Sequence, residues 1–352
     1  MDNRCLGMSL IAVLIGMALS TLVVSGAIYW YQFTKEHYIV EGEHHSEKEV
    51  QRTLFQFLIQ DLHVSGYRGC RSRDEFFPIT RGVVEKRSEI NIFPQDRRLV
   101  FGFLVTAENC FGKMPETVCN RVIKNTDLLI IYDIPKRTAE LAKNMSDPSD
   151  TLQTKQDSHF AKGSLVLISD CLQGDLFVAN EVGGDLIFHQ VTAKDSKNKS
   201  NALSKCYLRG SEVTELQRVA YYLGEPKRFI ARNANHPKKP IYALYRDDLL
   251  HSAEELVTGI NEFKVEFGFF SKSLPETLYK PAGQIEDCLA INSVRIKIKT
   301  INERTSKENE WETEIALRNW HGPDYRDHLV DGHLSHFSTL DAAGTLGSKN
   351  SP

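Results

Sequence analysis

Cysteines and histidines are the residues whose types and spacing could do chemistry here. The chain has seven cysteines in 352 residues; Cys5 precedes a long apolar run, and Cys70, Cys110, Cys119, Cys171, Cys206 and Cys288 follow it. An even number beyond a membrane segment, in an oxidising compartment, favours disulfides over free thiols, and all six are expected to be oxidised. The pairing is open. Cys110 and Cys119 enclose eight residues that include Gly112 and Pro115, which suits a local disulfide loop, and they are the favoured pair. A zinc site there would need two more ligands nearby. His44-His45 reads as part of a solvated helix face, and His328, His333 and His336, near Asp327, Asp331 and Asp341, as part of a solvated tail, with metal capture the alternative. No metal site and no cofactor is assigned. A Gly-rich phosphate loop, an H-E-x-x-H and a C-x-x-C are all missing from the sequence, and no Ser, His and acid stand out as a triad. The chain is therefore read as a non-enzyme. Its formal net charge of -3 gives no electrostatic reason to expect nucleic acid over the whole surface.

The other chemistry the sequence suggests is its own processing, at Gly7-Met8. From Met8 to Phe33 there is no Asp, Glu, Lys, Arg or His. A helix needs about 20 apolar residues to cross a bilayer core, so this run is membrane-length. Three readings compete for it. A secretory signal would be cut after it, where Ser25-Gly26-Ala27 could serve. An uncleaved anchor would keep it, and Tyr29-Trp30-Tyr31 would then form an interfacial aromatic belt. A leader of residues 1–7 would be cut on the cytoplasmic side, after Gly7, leaving the whole helix on the mature chain.

Beyond the membrane run the helical pattern continues. From Glu47 to Val64 apolar residues fall at Val50, Leu54, Phe57, Leu58 and Leu62, with polar residues between. No Pro interrupts the stretch, so one helix from Met8 to about Ser65, roughly 85 Å long, is expected, with Gly66 as its stop. The rest reads mostly as strands. Leu128-Leu129-Ile130-Ile131-Tyr132 is a continuous apolar run of the kind buried on both faces. Leu165 to Ser169, Asp175 to Val182 and Leu186 to Val191, with turn signals at Gly174 and Gly183-Gly184, suggest an antiparallel meander. Glu262 to Phe270 and Ser293 to Thr300 alternate apolar with polar residues and read as half-buried strands of one sheet. Pro135 to Phe160, Lys194 to Lys205 and Pro323 to the end read as poor core material, the first two as surface loops and the last as a polar tail.

Gly7-Met8-Ser9-Leu10-Ile11 is similar to the start of a type IV pilin or pseudopilin. Asp61-Leu62-His63-Val64-Ser65-Gly66-Tyr67-Arg68-Gly69-Cys70 resembles the segment closing the first helix in the PilW family of minor type IV pilins. Further likenesses follow in order: Val166-Leu167-Ile168-Ser169-Asp170-Cys171; Ala220-Tyr221-Tyr222-Leu223; Ala243-Leu244-Tyr245-Arg246; Glu254 to Ile260 with Phe263 to Gly268; Val294 to Ile298; and Ile315 to Asn319. The resemblance implies an α+β, pilin-like fold: a long N-terminal helix, transmembrane and then amphipathic, packed on an antiparallel β-sheet head with long loops. It implies a leader at 1–7, a transmembrane half at 8–33, an amphipathic half at 34–66, a periplasmic head at 67–320 and a tail at 321–352. Gly7 would be the cleavage residue and Met8 the methylated N-terminus. The family usually carries Glu four places after that terminus, where this chain has Ala12, and minor pilins that cap a filament tolerate the loss. The implied partners are other minor pilins, the major pilin, the inner-membrane assembly platform, the prepilin peptidase and membrane lipid. The implied location is the bacterial inner membrane and then the pilus, at or near its tip. A type II secretion pseudopilin and a membrane-anchored periplasmic enzyme or receptor are the alternatives.

Overall fold

The computed structural model describes residues 10–69, 79–81, 100–106, 110, 114–191, 198–227, 241–249, 253–269, 277–284, 291–301 and 308–318. Gly7, Met8, Cys70, Cys288 and the histidines of the tail lie outside the described residues. The chain divides into two compact units, Met1–Gln56 and Phe57–Pro352.

Helix α1 (Leu10–Val64) is unbroken over 55 residues, as a stretch without proline allows. Ala12 lies on it. Within α1, Val13–Lys35 is 23 residues long and apolar enough to cross a membrane, with all its residues exposed. Its serine and threonine hydroxyls need no water. Ser20, Thr21 and Ser25 donate to the carbonyls of Met17, Ala18 and Leu22, and Thr34 donates to that of Trp30, which is how polar side chains are satisfied in hydrocarbon. One such helix is compatible with a single-pass anchor; a signal sequence shares its composition.

In the second unit α1 finishes with Leu58 and Leu62 buried and Phe57 partly exposed. Gly66 follows with φ +69°, a left-handed conformation that glycine adopts without a Cβ penalty. The strands are β1 (Ile79–Arg81), β2 (Val100–Leu104), β3 (Asp127–Glu140), β4 (Leu152–Gln153), β5 (Leu165–Ser169), β6 (Gly174–Val178), β7 (Glu181–Gly183), β8 (Leu186–Phe188), β9 (Glu212–Gly224), β10 (Tyr242–Asp247), β11 (Ala253–Phe269), β12 (Leu278–Pro281), β13 (Ile291–Ile301) and β14 (Glu308–Ala316), with a short helix α2 (Glu116–Cys119) before β3. Eleven of the strands form one sheet, and β4, β8 and β7 form a small second one. Pairing is antiparallel apart from the short β1 on β6. The fold class is α+β.

Strand β9 is the axis of the large sheet. One of its edges pairs with β3 over Glu212–Tyr221, while the other pairs first with β5 and then with β10. Its residues are buried on both faces apart from Glu212 and Gln217. On one face Ala220 and Tyr222 join Phe103, Leu128, Ile130, Tyr132, Ala243 and Tyr245 in a core cluster. Further along, Val213 joins Val166, Ile168, Phe177 and Tyr207 in a second. The alternating strands meet as their pattern dictates: β11 pairs with β13 from Ile260↔Thr300 to Phe269↔Ile291, with Phe263, Val265, Phe267, Val294, Ile296 and Ile298 buried.

Two of the stretches expected to be surface loops contribute to the core. Pro135 to Glu140 continues β3, and Leu141, Met145, Leu152 and Phe160 are buried in the second cluster. Their spacing follows neither a helical nor a strand period, because irregular chain and the two-residue strand β4 deliver them, so no periodic signal marks them. Asn198, inside the second stretch, is buried and fully engaged: its amide donates to the carbonyls of Val178 and His189 and its Oδ1 accepts from Val178 N. The expected strand Asp175 to Val182 is two, β6 and β7, and the turn before β6 is Asp170 to Gln173, with Gly174 already paired to Ser169.

Candidate functional site at the helix–sheet junction

A buried polar constellation lies where the last turn of α1 meets β9 and β10. Arg246 and Tyr221 are direct cross-strand partners, so their side chains leave the same face of the sheet. Both reach Asp61. The Tyr221 hydroxyl donates to Asp61 Oδ2 at 2.6 Å, Arg246 Nε donates to the same oxygen at 2.8 Å, and Arg246 Nη2 donates to Oδ1 at 3.3 Å. Asp61 is buried, and 19% of the Arg246 side chain is exposed. One residue along each strand the geometry inverts. Tyr222 and Tyr245 face each other on the opposite side, stacked with ring centroids 5.8 Å apart. Tyr222 donates to Asp247 Oδ2 at 3.0 Å and Tyr245 to Glu255 Oε2 at 3.0 Å.

The charges are matched locally. Burial alone would lower the Arg246 guanidinium, but its bonds and attraction to Asp61 outweigh that and hold it above its usual value. Burial, then the Asp61 carboxylate, raises the Tyr221 hydroxyl, which stays protonated as the donor. Burial, with the Glu255 hydrogen bond next, pushes Tyr245 up to about 12.

Just after the helix the backbone joins the sheet directly. Gly66 N donates to Tyr132 O at 3.0 Å and Tyr67 N to Asp133 O at 3.0 Å, and the Tyr67 hydroxyl donates to Glu212. Burial, then the Glu212 bond, raises that hydroxyl. At Gly69 the chain lies against β5: φ is +82°, and a Cβ there would sit 2.1 Å from Ser169 Oγ. The constellation fixes where the end of the helix stands on the sheet.

Comparison with known protein families, with curated proteins and with solved structures finds no match. The site is read from its own geometry.

Of the cysteines, Cys110 and Cys119 form a disulfide, with Cα atoms 5.7 Å apart, and Cys171 is also disulfide-bonded. Cys206 corrects the expectation that all six are oxidised. It is a free thiol, partly buried against the second core cluster, where cysteine acts as a small hydrophobe. His44 and His45 lie on α1. Among the described residues no group of His, Cys, Asp and Glu is placed to hold a metal.

The segments quoted for the family likeness include Asp61, Tyr221 and Arg246, yet no local signal ties Asp61 to residues 160 and 185 positions away. What could have found them is the charge pattern: an Asp on the apolar side of an amphipathic helix, and an Arg ending an apolar strand, both require buried partners.

Proposed function

We propose that this chain is a minor type IV pilin of the PilW kind, acting in pilus assembly in the initiating or tip complex. The observation that carries the proposal is the single helix Leu10–Val64, membrane-length at one end and closed at the other by Asp61 on an antiparallel sheet. A helix whose head is fastened to it by buried charge and backbone bonds suits a subunit pulled from a bilayer into a filament, since the head must travel with the helix. The N-terminal pattern Gly7-Met8 supports leader removal by a prepilin peptidase and methylation of Met8. The order of the family-like segments supports the pilus over a secretion pseudopilin, and over the different class of anchored periplasmic enzyme or receptor. The partners would be the major pilin, other minor pilins and the inner-membrane assembly platform, with the head in the periplasm and disulfides formed there.

Ala12 supports the tip position. A shaft subunit benefits from a buried carboxylate that meets its predecessor's amine, whereas a first subunit has no predecessor and would bury a Glu unpaired. Deleting the protein is then expected to cut filament number far more than filament length, counted by electron microscopy. Normal counts with shortened or fragile fibres would contradict the tip assignment. Gly7 replaced by a bulky residue should leave the leader uncut, and a variant that still matures to a chain starting at Met8 would contradict the prepilin reading.

A further inference from the structure

Strand β14 is the last strand of the large sheet, and among the described residues it pairs only with β13. An edge strand presents alternate N–H and C=O groups with no ladder partner, a template for another strand. The side chains give this edge a definite preference. On one face β13 presents Arg295, Lys297 and Lys299, flanked by Glu262 and Glu266 of β11 on one side and by Glu310, Glu312 and Glu314 of β14 on the other. From the β11 side Lys297 meets Glu266 at 3.2 Å, Lys299 meets Glu262 at 2.7 Å and Arg295 meets Glu266 at 3.6 Å, with Glu262 shared with Lys264 of β11, which stands opposite Lys297. Arg295 also reaches Glu312 at 3.3 Å and Glu314 at 3.5 Å. The row of charges therefore ends in acid on the outermost strand, where Glu310, Glu312 and Glu314 are exposed. On the other face stands Trp311, half-buried, its indole N–H donating to Thr300 Oγ1 of β13 at 3.3 Å.

We propose that the β14 edge takes a strand from a different protein chain, one that alternates Lys or Arg with apolar residues. Its cations would continue the strand-by-strand alternation of sign against Glu310, Glu312 and Glu314, and its apolar residues would cover Trp311. A second copy of this chain is the wrong occupant, since β14 against β14 places glutamate opposite glutamate. The same row that deters self-pairing and acidic strands is what selects a basic one. The inference rests on the head alone and stands or falls separately from the pilin reading.

The test is amide hydrogen exchange of Glu308–Ala316 in the full chain in detergent micelles, with a capped Lys-Val-Arg-Val-Lys-Val-Arg peptide and with its Glu-Val counterpart. At about ten times its Kd the basic peptide should slow exchange of β14 about tenfold, the acidic peptide should leave it unchanged, and the variant Glu310→Gln/Glu312→Gln/Glu314→Gln should no longer distinguish them. No slowing, or equal slowing by both peptides, overturns the proposal. So does protection, in the peptide-free chain, of the β14 amides that point away from β13, which would mean that the edge is already covered, or cross-linking that shows β14 paired with β14 of a second copy.

Discussion

Arg246 Nε donates to Asp61 Oδ2 at 2.8 Å across 185 positions of sequence, and this bond places the last turn of the long helix on the central strands of the sheet. A buried ion pair adds little net stability over an apolar pair of the same shape, but breaking it is costly because one charge is left buried. The junction is best understood as a device that selects one placement of helix end on sheet.

Asp61→Ala should destabilise the head by about 3 kcal/mol, the low end for a broken buried pair since Arg246 still reaches solvent. Tyr221→Phe should cost about 1 kcal/mol. The double replacement Asp61→Leu/Arg246→Met should lie much closer to wild type than Asp61→Ala. Denaturant midpoints read all three, and equal losses for the single and double changes would reject the ion pair as the cause.

The Cys110–Cys119 bridge closes a short loop beside the first core cluster. Replacing both by serine should lower stability by about 2–3 kcal/mol. Alkylation of the unreduced, denatured chain should label Cys206 and spare Cys110, Cys119 and Cys171. Peptide mapping that finds Cys206 unlabelled would show it paired.

Gly102 on β2 packs against Phe267, where an added Cβ would lie 2.7 Å from the ring and 3.0 Å from the Leu128 carbonyl oxygen. Gly102→Ala should cost about 1–3 kcal/mol through overpacking. Trimming the ring with Phe267→Leu should recover part of it, so that the double variant is more stable than the sum of the singles predicts. Strict additivity in a thermal or denaturant series would show that the carbonyl, not the ring, sets the limit.

His189 is buried, its Nε2 2.9 Å from the Asp150 carbonyl oxygen, and burial lowers it below its usual 6.5 despite that bond. As pH falls through 6.5 the unfolded chain takes up a proton that the folded one still refuses. Stability is therefore full above that value and declines as pH falls through the folded value. His63, lowered by burial and then by Arg318, acts in the same direction. The denaturant midpoint should fall between about pH 7 and about pH 5, and His189→Gln should fall less steeply. An identical slope in the variant would remove His189 as a source.

Where the strands alternate, the sequence was readable. Phe263, Val265 and Phe267 against Lys264 and Glu266 can form only a half-buried strand, and β11 and β13 lie as that pattern requires. Leu165–Ser169 was legible as a short apolar run bounded by turns. The core contributions of Leu141, Met145, Leu152 and Phe160 were not, since four apolar side chains scattered among Lys, Asp and Ser carry no period. Nor was the junction: each of Asp61, Tyr221 and Arg246 sits in a recognisable segment, but their meeting depends on which face of β9 and β10 the helix end covers, a property of the whole sheet.

The central claim is that Gly7-Met8 is a prepilin cleavage site and that the helix beyond it stays on the mature chain. Intact-mass spectrometry of the protein purified from its native host tests this most directly. The account predicts a chain that has lost residues 1–7, begins at Met8 and carries one added methyl group. A chain that still begins at Met1, or one cut near Ser25-Gly26-Ala27 so that the apolar helix is lost, would contradict it.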